Sequence, residues 1–251
     1  MKIALITGGS RGLGKSMCLH LAQKGYGVIF TYKNGQTEAE NLITMIEAKG
    51  GKAVALQLDV TQIDTFSGFI CTLAAVLETN FKTSSKLDLL INNAGFGIYK
   101  PIHETTEAEF DSLMLAHLKG PFFLTQTLLP YLNDGGRILN LSSGLTRFAL
   151  PGYGAYAAMK GAIEILSKYM ALELGSRNIT VNVIAPGAIE TDFGGGAVRD
   201  NPDLNSFIAS QIALGRAGLP EDIGAAVAAI ASDDCHWING QRIEISGGMR
   251  L

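Results

Sequence analysis

The stretch Thr7-Gly8-Gly9-Ser10-Arg11-Gly12-Leu13-Gly14 decides the fold, because it lies between a short apolar run at 2–6 and a helix-forming stretch at 15–23. A buried strand, a tight turn and a helix N-terminus together form a phosphate-binding cradle. The glycines let the backbone approach a pyrophosphate, and the free N–H groups of the helix start point towards it. The spacing differs from the G-x-G-x-x-G of the standard fingerprint, so an ordinary turn is the alternative.

Beyond this stretch, short apolar runs alternate with amphipathic helical stretches along the chain. Such alternation is typical of repeated βαβ units and a parallel sheet. We expect strands at 3–7, 27–32, 53–58, 87–92, 137–142, 179–184 and 241–245. Residues 1–251 are therefore predicted to form a single doubly wound α/β domain of the Rossmann type, with about seven parallel strands and helices on both faces. The polar stretch at 78–85 predicts a surface loop.

Tyr156 and Lys160 stand one helical turn apart, and Ser143 precedes the tyrosine by thirteen residues. Residues at i and i+4 share a helix face, so we expect the ammonium beside the phenol, where it favours the phenolate. An unperturbed phenol titrates near pH ~10, too high for proton transfer at neutral pH. Ser143 is then placed to hydrogen-bond the oxygen that gains or loses charge. The trio predicts alcohol and carbonyl interconversion; taken singly, each residue also fits an ordinary structural role.

Together these motifs resemble the short-chain dehydrogenase/reductase family of the simple, single-domain type, over nearly the whole chain. Residues 7–14 match the family's T-G-x-x-x-G-x-G, residues 92–95 match its N-N-A-G, and Ser143, Tyr156 and Lys160 match its catalytic serine, tyrosine and lysine. Within the family, the chain most resembles 3-oxoacyl-(acyl-carrier-protein) reductase-like carbonyl reductases. The resemblance implies that Tyr156 protonates the oxygen of a ketone that accepts hydride, that Ser143 orients the carbonyl, and that Lys160 holds the nicotinamide ribose and lowers the tyrosine pKa.

The same resemblance implies which residues bind the dinucleotide. Asp59 with Val60 matches the acidic position that contacts the adenine, and Pro186-Gly187 with Thr191 matches the segment that holds the nicotinamide. The expected cofactor-binding residues are Gly8, Ser10, Arg11, Gly12, Leu13, Gly14, Tyr32, Lys33, Asn34, Asp59, Val60, Asn93, Ala94, Gly95, Tyr156, Lys160, Pro186, Gly187, Ile189 and Thr191.

The end of the second predicted strand favours NADP(H) as the cofactor. An acidic residue there would bind the ribose hydroxyls of NAD and repel the extra phosphate of NADP. Here the position holds Tyr32, followed by Lys33 and Asn34, and Arg11 in the glycine turn is a second cation. The two cations are expected to accept a 2′-phosphate through charge-assisted hydrogen bonds. Each cation alone would also fit an ordinary solvated side chain.

His117 departs from the family pattern, because it stands where relatives carry a catalytic asparagine. In relatives that asparagine shapes a helix irregularity, and its main-chain carbonyl holds a water that links the lysine to solvent. We expect His117 to supply the same carbonyl. The alternative is a catalytic side chain that titrates within the proton relay.

The residues expected to line the substrate side are apolar, and they suit a hydrophobic ketone or an acyl thioester better than a polyol. They are Leu145, Phe148, Leu150, Pro151, Tyr153 and Phe193, with Ile189 beside them. Residues 188–213 include three consecutive glycines and predict a substrate lid or, alternatively, a mobile connection. Three alternatives stay open: a 3-oxoacyl-carrier-protein reductase proper, a polyol or sugar dehydrogenase, and a non-catalytic NADP-binding sensor or scaffold.

Composition fits a cytoplasmic enzyme with a large core and a small-molecule substrate. The 251 residues are 47% hydrophobic, include 30 glycines and carry a net charge of −3, so neither nucleic acid nor an anionic membrane is an expected partner. The chain shows no signal-peptide pattern and no apolar run of the ~18 residues that a membrane span needs. Its cysteines and histidines have no metal-ligand spacing. By resemblance, helices near 106–130 and 156–175 predict a homotetramer, with a dimer as the alternative.

Overall fold

The computed structural model describes residues 1–81 and 86–251. The seven strands found there are β1 (Ile3–Ile6), β2 (Gly27–Tyr32), β3 (Lys52–Gln57), β4 (Leu87–Asn92), β5 (Leu132–Leu141), β6 (Thr180–Pro186) and β7 (Arg242–Ile245). The helices are α1 (Gly12–Gln23), α2 (Gln36–Glu47), α3 (Phe66–Phe81), α4 (Glu107–Met114), α5 (Gly120–Leu128), α6 (Gly154–Glu173), α7 (Ala197–Asp200), α8 (Pro202–Ala209) and α9 (Pro220–Ile230). A π-helical turn, Leu115–Lys119, joins α4 to α5.

The strands form one parallel sheet in the order β3-β2-β1-β4-β5-β6-β7. The order reverses between β1 and β4, and ligands of open α/β sheets bind outside the carboxyl ends of the strands at such a switch point. The predicted single Rossmann-type domain with seven parallel strands is confirmed. Every other strand end lies within two residues of its predicted position, but β5 begins five residues before the prediction, where its pairing with β4 is irregular.

Alternate side chains of the strands bury two separate apolar layers. In β1, Ala4 and Ile6 pack into the layer that α1, α2 and α9 cover. Ile3 and Leu5 point the other way, into the layer that α3, α5 and α6 cover. This is the alternation that a strand imposes, with the buried faces of amphipathic helices on both sides. The sheet is therefore a rigid platform whose carboxyl edge is free to carry a site.

Helical turns occur in the segment predicted as a surface loop and in the segment predicted as a lid. Residues 78–81 of the expected surface loop form the last turn of α3, where Phe81 is buried against the sheet layer, and residues 82–85 lie outside the described residues. Within 188–213, the expected irregular segment contains a 3₁₀ turn, Phe193–Gly196, followed by α7 and α8. Helix α8 begins where it does because the Asn201 side chain caps its N-terminus and Pro202 occupies its first turn. None of the described helices has the length and apolar character needed to cross a membrane.

Candidate active site

A cavity of about 860 Å³ opens along the carboxyl edge of the sheet. Its walls come from the segments that follow β1 to β6, so one cavity collects residues that are far apart in sequence. All twenty predicted cofactor-binding residues line it, together with Ser143 and His117. The predicted site is thereby gathered in one place, and its two ends differ in chemistry: glycines and cations at one end, and Tyr156 with aromatic neighbours at the other.

The glycine turn brings its backbone against the segment that follows β4. Gly8 has φ +65°, and a Cβ at this position would lie 2.9 Å from Ala94 Cα; a Cβ at Gly14 would lie 2.2 Å from Gly8 O. The N–H groups of Asn93 and Ala94 both donate to Thr7 Oγ1 at 3.0 Å. Only glycine fits such close backbone approach. The arrangement leaves the N-terminus of α1 facing the cavity, which fits the pyrophosphate of a dinucleotide.

The cations expected near a 2′-phosphate both line the cavity, but one of them is already paired. Lys33 Nζ lies 2.7 Å from Asp59 Oδ2. Burial alone would raise the pKa of Asp59, but the hydrogen bonds from Lys33 and Thr61 outweigh it, and the pKa lies below its ordinary value. The pairing arises because β2 and β3 are neighbours, so the residues beyond their ends meet. Lys33 would therefore bind a phosphate while still paired with the Asp59 carboxylate. Arg11, by contrast, lies exposed at the start of α1.

Tyr156 and Lys160 lie on one face of α6 and are both buried. Lys160 Nζ is 5.6 Å from the centroid of the Tyr156 ring and donates to the main-chain oxygen of Leu141, 2.7 Å away. Ser143 follows β5 at the start of a 3₁₀ turn, and it lies near enough to the Tyr156 hydroxyl to lower the pKa of that phenol. The structure therefore brings the three side chains together as the sequence predicts.

The direction of the tyrosine shift corrects one expectation. Burial raises the pKa of Tyr156 above its ordinary value, and the hydrogen bond from Ser143 opposes that rise without reversing it. Burial also lowers the pKa of Lys160 to about 7. The sequence prediction counted the lysine charge and not the cost of removing both groups from water, which here is the larger effect. At neutral pH the phenol therefore holds its proton, the form needed for donation to an oxygen.

His117 occupies the π-helical turn as a buried, uncharged imidazole. Burial, and then the nearby Lys160 charge, lower its pKa to about 3, against an opposing hydrogen bond to Phe96. Its Nε2 donates to the main-chain oxygen of Phe96 at 2.6 Å, while Nδ1 finds no partner among the residues that the structure describes. The ring meets the Tyr156 ring edge-on, with centroids 5.2 Å apart. The His117 side chain therefore contacts both Phe96, which lines the cavity, and Tyr156.

Most of the predicted substrate lining lies outside this cavity. Of the six residues expected there, Phe193 lines it, 5.6 Å from Tyr156 between ring centroids. The other five, Leu145, Phe148, Leu150, Pro151 and Tyr153, do not. Phe148 turns away because it packs under the guanidinium groups of Arg147 and Arg250. Closeness to Ser143 in sequence did not determine on which side of the 3₁₀ turn each side chain would lie.

The sequence reasoning missed the wall that follows the N-N-A-G motif. Phe96, Gly97 and Tyr99 line the cavity directly beyond the carboxyl end of β4. A Cβ at Gly97 would lie 2.5 Å from the tip of the Phe193 ring, so the two segments are in close contact. The signal was available, because aromatic residues immediately after a central parallel strand must lie near the switch point.

Comparison with known proteins gives concordant matches over nearly the whole chain. The model of a family described as enoyl-(acyl carrier protein) reductase matches residues 8–250. The hydroxynaphthalene reductase-like protein Arp2 of Metarhizium brunneum is 32% identical over 258 residues, covering 98% of this chain and 94% of Arp2. The structure of a short-chain dehydrogenase/reductase from Serratia marcescens aligns with a TM-score of 0.91 at 30% identity, covering 100% and 98% of the two chains. The angucycline C-6 ketoreductase LanV, solved with bound NADP, aligns with a TM-score of 0.92 at 36% identity, covering 100% and 96%.

Proposed function

The chain belongs to the short-chain dehydrogenase/reductase family, and from that premise we propose that it is an NADPH-dependent reductase. It reversibly converts a ketone, or the 3-oxo group of an acyl thioester, to a secondary alcohol. The observation that carries the proposal is the joint placement of Ser143, Tyr156 and Lys160 at the end of the cavity opposite the cations. A sensor or scaffold would have no need of a buried phenol with a serine and a buried lysine beside it.

The protein groups divide the chemistry at the carbonyl among them. NADPH, when bound, supplies the hydride that reaches the carbonyl carbon. Tyr156 donates its phenolic proton to the carbonyl oxygen, and Ser143 hydrogen-bonds the same oxygen as its negative charge grows. Lys160, whose pKa of about 7 leaves it partly protonated near neutral pH, stabilises the phenolate left behind. The raised pKa of Tyr156 keeps the phenol protonated at neutral pH, the form that proton donation to the carbonyl oxygen requires.

Preference for NADPH over NADH rests on the cations near the end of β2. Arg11 and Lys33 line the same end of the cavity, where a 2′-phosphate on the adenine-side ribose would bring negative charge. Asp59 and Glu38 also line that end and reduce the net positive charge. The preference is therefore one of degree. The bound NADP in the related LanV is consistent with it.

We propose a flat, apolar ketone as the substrate. Phe96, Tyr99 and Phe193 line the catalytic end of the cavity, yet these residues remain 39%, 68% and 42% exposed. Exposed aromatic rings around a cavity mouth suit stacking against an unsaturated ring system. The names of Arp2 and LanV refer to hydroxynaphthalene reduction and ketone reduction in those proteins. Residues 188–213, which carry Phe193, are proposed to act as the lid over this substrate.

Assembly into a homotetramer is proposed from the apolar surface of the long helices. Ile165, Tyr169 and Leu172 of α6 are 54%, 62% and 80% exposed, and Phe110 and Phe122 on the adjoining helices are also exposed. Apolar residues grouped on one face mark an interaction surface. A sedimentation mass equal to one chain would contradict this assembly, and a mass of two chains would support a dimer in place of the tetramer.

A screen of NADPH oxidation tests the function directly. The panel contains fused-ring aromatic ketones, aliphatic ketones, 3-oxoacyl and enoyl thioesters, and sugars, each measured with NADPH and with NADH. We expect the highest kcat/KM for an aromatic ketone with NADPH. Preference for a 3-oxoacyl thioester would support the carrier-protein reductase, and preference for an enoyl thioester would support the activity that the family model describes. Tight NADPH binding without turnover of any class would favour the sensor.

A further inference from the structure

A cluster of charged side chains lies directly behind Ser143, outside the cavity. Glu164 follows Lys160 by one helical turn on α6. Its Oε1 accepts hydrogen bonds from Ser142 Oγ at 2.6 Å, Thr146 Oγ1 at 2.7 Å and Arg242 Nε at 2.8 Å. Three donors on one carboxylate oxygen give a strong, directional contact. Glu164 thereby ties α6 to both ends of the segment that carries Ser143.

Arg242 reaches the catalytic serine from β7, the edge strand of the sheet. Its Nη2 donates to the main-chain oxygen of Ser143 at 3.2 Å and lies 3.2 Å from Thr146 Oγ1. Its Nη1 donates to Glu244 Oε2 at 3.0 Å. Thr146 also approaches Ser143, with Oγ1 2.9 Å from its main-chain oxygen. The backbone of Ser143 is therefore held from the side opposite the cavity.

The cluster is balanced in charge and partly shielded from water. Arg147 pairs with Glu244 through two contacts of 2.9 and 3.0 Å, so two arginines stand with two glutamates. The side chains of Arg242 and Glu164 are 23% and 16% exposed. Ion pairs at this depth are screened less than surface pairs, and removing one partner leaves the other poorly compensated. None of the four side chains is among the described residues that line the cavity.

We propose that Arg242 and Glu164 are positioning residues that hold Ser143 in register with Tyr156 and Lys160. Tyr156, Lys160 and Glu164 follow one another at four-residue intervals on α6, so the distance between that helix face and Ser143 is set by the contacts of Glu164 and Arg242. The other contacts of α6 with this segment, from Lys160 to the main-chain oxygen of Leu141 and from Ser142 to that of Lys160, lie before Ser143 and do not hold the turn that follows it. This inference rests on the proposed reductase function, in which Ser143 must meet the substrate oxygen together with Tyr156.

The test is a set of double-mutant cycles with Ser143→Ala. Arg242→Met and Glu164→Gln are each made alone and together with Ser143→Ala, and turnover of an aromatic ketone by NADPH is measured. Each single variant is expected to lower kcat about tenfold, since a catalytic group displaced by ~1 Å can cost up to ~10²-fold. The KM for NADPH should stay within ~2-fold. In the Ser143→Ala background the same changes should lower kcat by less than ~2-fold, because the group being positioned is already gone.

The two variants also separate positioning from long-range electrostatics. Arg242→Met removes a positive charge and Glu164→Gln a negative one, so a purely electrostatic role would move kcat in opposite directions. Positioning predicts a loss in both. If Arg242→Met does not fold, Glu164→Gln decides alone: the amide keeps the size of the side chain, so folding is preserved, but it loses the negative charge that strengthens the bonds from Arg242, Ser142 and Thr146. The matched control is Arg177→Met, because Arg177 donates to Asp134 and to the main-chain oxygens of Leu129 and Leu132, where β5 begins, at the end of that strand away from the cavity.

The outcomes distinguish this inference from the proposed function. Turnover by the wild type and its loss in Ser143→Ala test the reductase assignment itself. Losses from Arg242→Met and Glu164→Gln that vanish in the Ser143→Ala background support positioning. Losses that persist undiminished in that background, changes of opposite sign, or an unchanged kcat in both single variants would each overturn it. Arg177→Met should keep the wild-type kcat whatever its effect on stability.

Discussion

Replacing His117 by asparagine gives a prediction that separates a structural histidine from a titrating one. The wild-type imidazole is buried and uncharged, with a pKa lowered to about 3. Its Nε2 donates to the main-chain oxygen of Phe96, whereas the π-helical turn itself is formed by main-chain hydrogen bonds, which asparagine can also make. We therefore expect His117→Asn to keep nearly the wild-type turnover, without a change in the shape of its pH profile near pH ~6.5.

The same substitution should change how stability depends on pH. In the unfolded chain His117 takes a proton near pH ~6.5, whereas in the folded chain it does so only near pH 3. Because the folded pKa lies below the unfolded one, this contribution to stability is complete above pH ~6.5 and is lost as pH falls from ~6.5 towards the folded pKa. A pH of ~5 lies ~1.5 units below the pKa of the unfolded chain, so the free energy of unfolding lost there amounts to about 2 kcal/mol.

Urea unfolding of both proteins at pH ~7 and pH ~5, at one protein concentration, measures that difference. The wild type should lose about 2 kcal/mol more between the two pH values than His117→Asn, because the asparagine has no proton to take up. Equal losses in the two proteins would refute the reasoning, since they would mean that the folded imidazole protonates as freely as the unfolded one. An acidic limb of the turnover profile that disappears in the variant would refute it too, and would place the imidazole in the proton path.

Two further predictions follow from contacts around the cavity. A Cβ at Gly95 would lie 2.3 Å from His117 Cε1, so Gly95→Ala should lower the free energy of unfolding by ~1–3 kcal/mol through overpacking. Most of that loss should disappear in the His117→Ala background, because the ring that the new methyl group meets is then absent. An equal loss in both backgrounds would contradict the contact. Replacing Arg11 and Lys33 together by alanine should raise the KM for NADPH more than the KM for NADH, because only NADPH presents the phosphate that they are proposed to bind. Equal changes for the two cofactors would remove both residues from that role.

The fold was predictable because its signals are local and repeated. Apolar runs of strand length recur along the chain, and parallel strands that are buried on both faces are recognised by such continuous apolar runs. The glycine turn was predictable because Gly8 and Gly14 are required by close backbone contacts that other residues cannot make. Strand ends were less predictable, as in β5, where an irregular pairing with β4 extends the strand beyond its apolar core.

The features that sequence reasoning missed depend on contacts between distant segments. Phe148 stands near Ser143 in sequence, but Arg250 draws it to the C-terminal segment, about a hundred residues away. Lys33 was expected to bind a 2′-phosphate, and the register of β2 with β3 gives it Asp59 as a further partner that the sequence did not reveal. The raised pKa of Tyr156 depends on complete burial, which the spacing of Tyr156 and Lys160 does not reveal.

Turnover of Tyr156→Phe tests the central claim most directly. The phenylalanine keeps the ring and its contacts with His117 and Phe193, and removes only the hydroxyl that is proposed to donate the proton. With an aromatic ketone and saturating NADPH, we predict a fall in kcat of ~10²–10⁴-fold, the range typical of losing a general acid. NADPH binding, measured by fluorescence titration, should remain within ~3-fold of wild type, because that hydroxyl is proposed to serve the carbonyl oxygen. A variant that reduces the ketone at nearly the wild-type rate would contradict the assignment of Tyr156 as the proton donor.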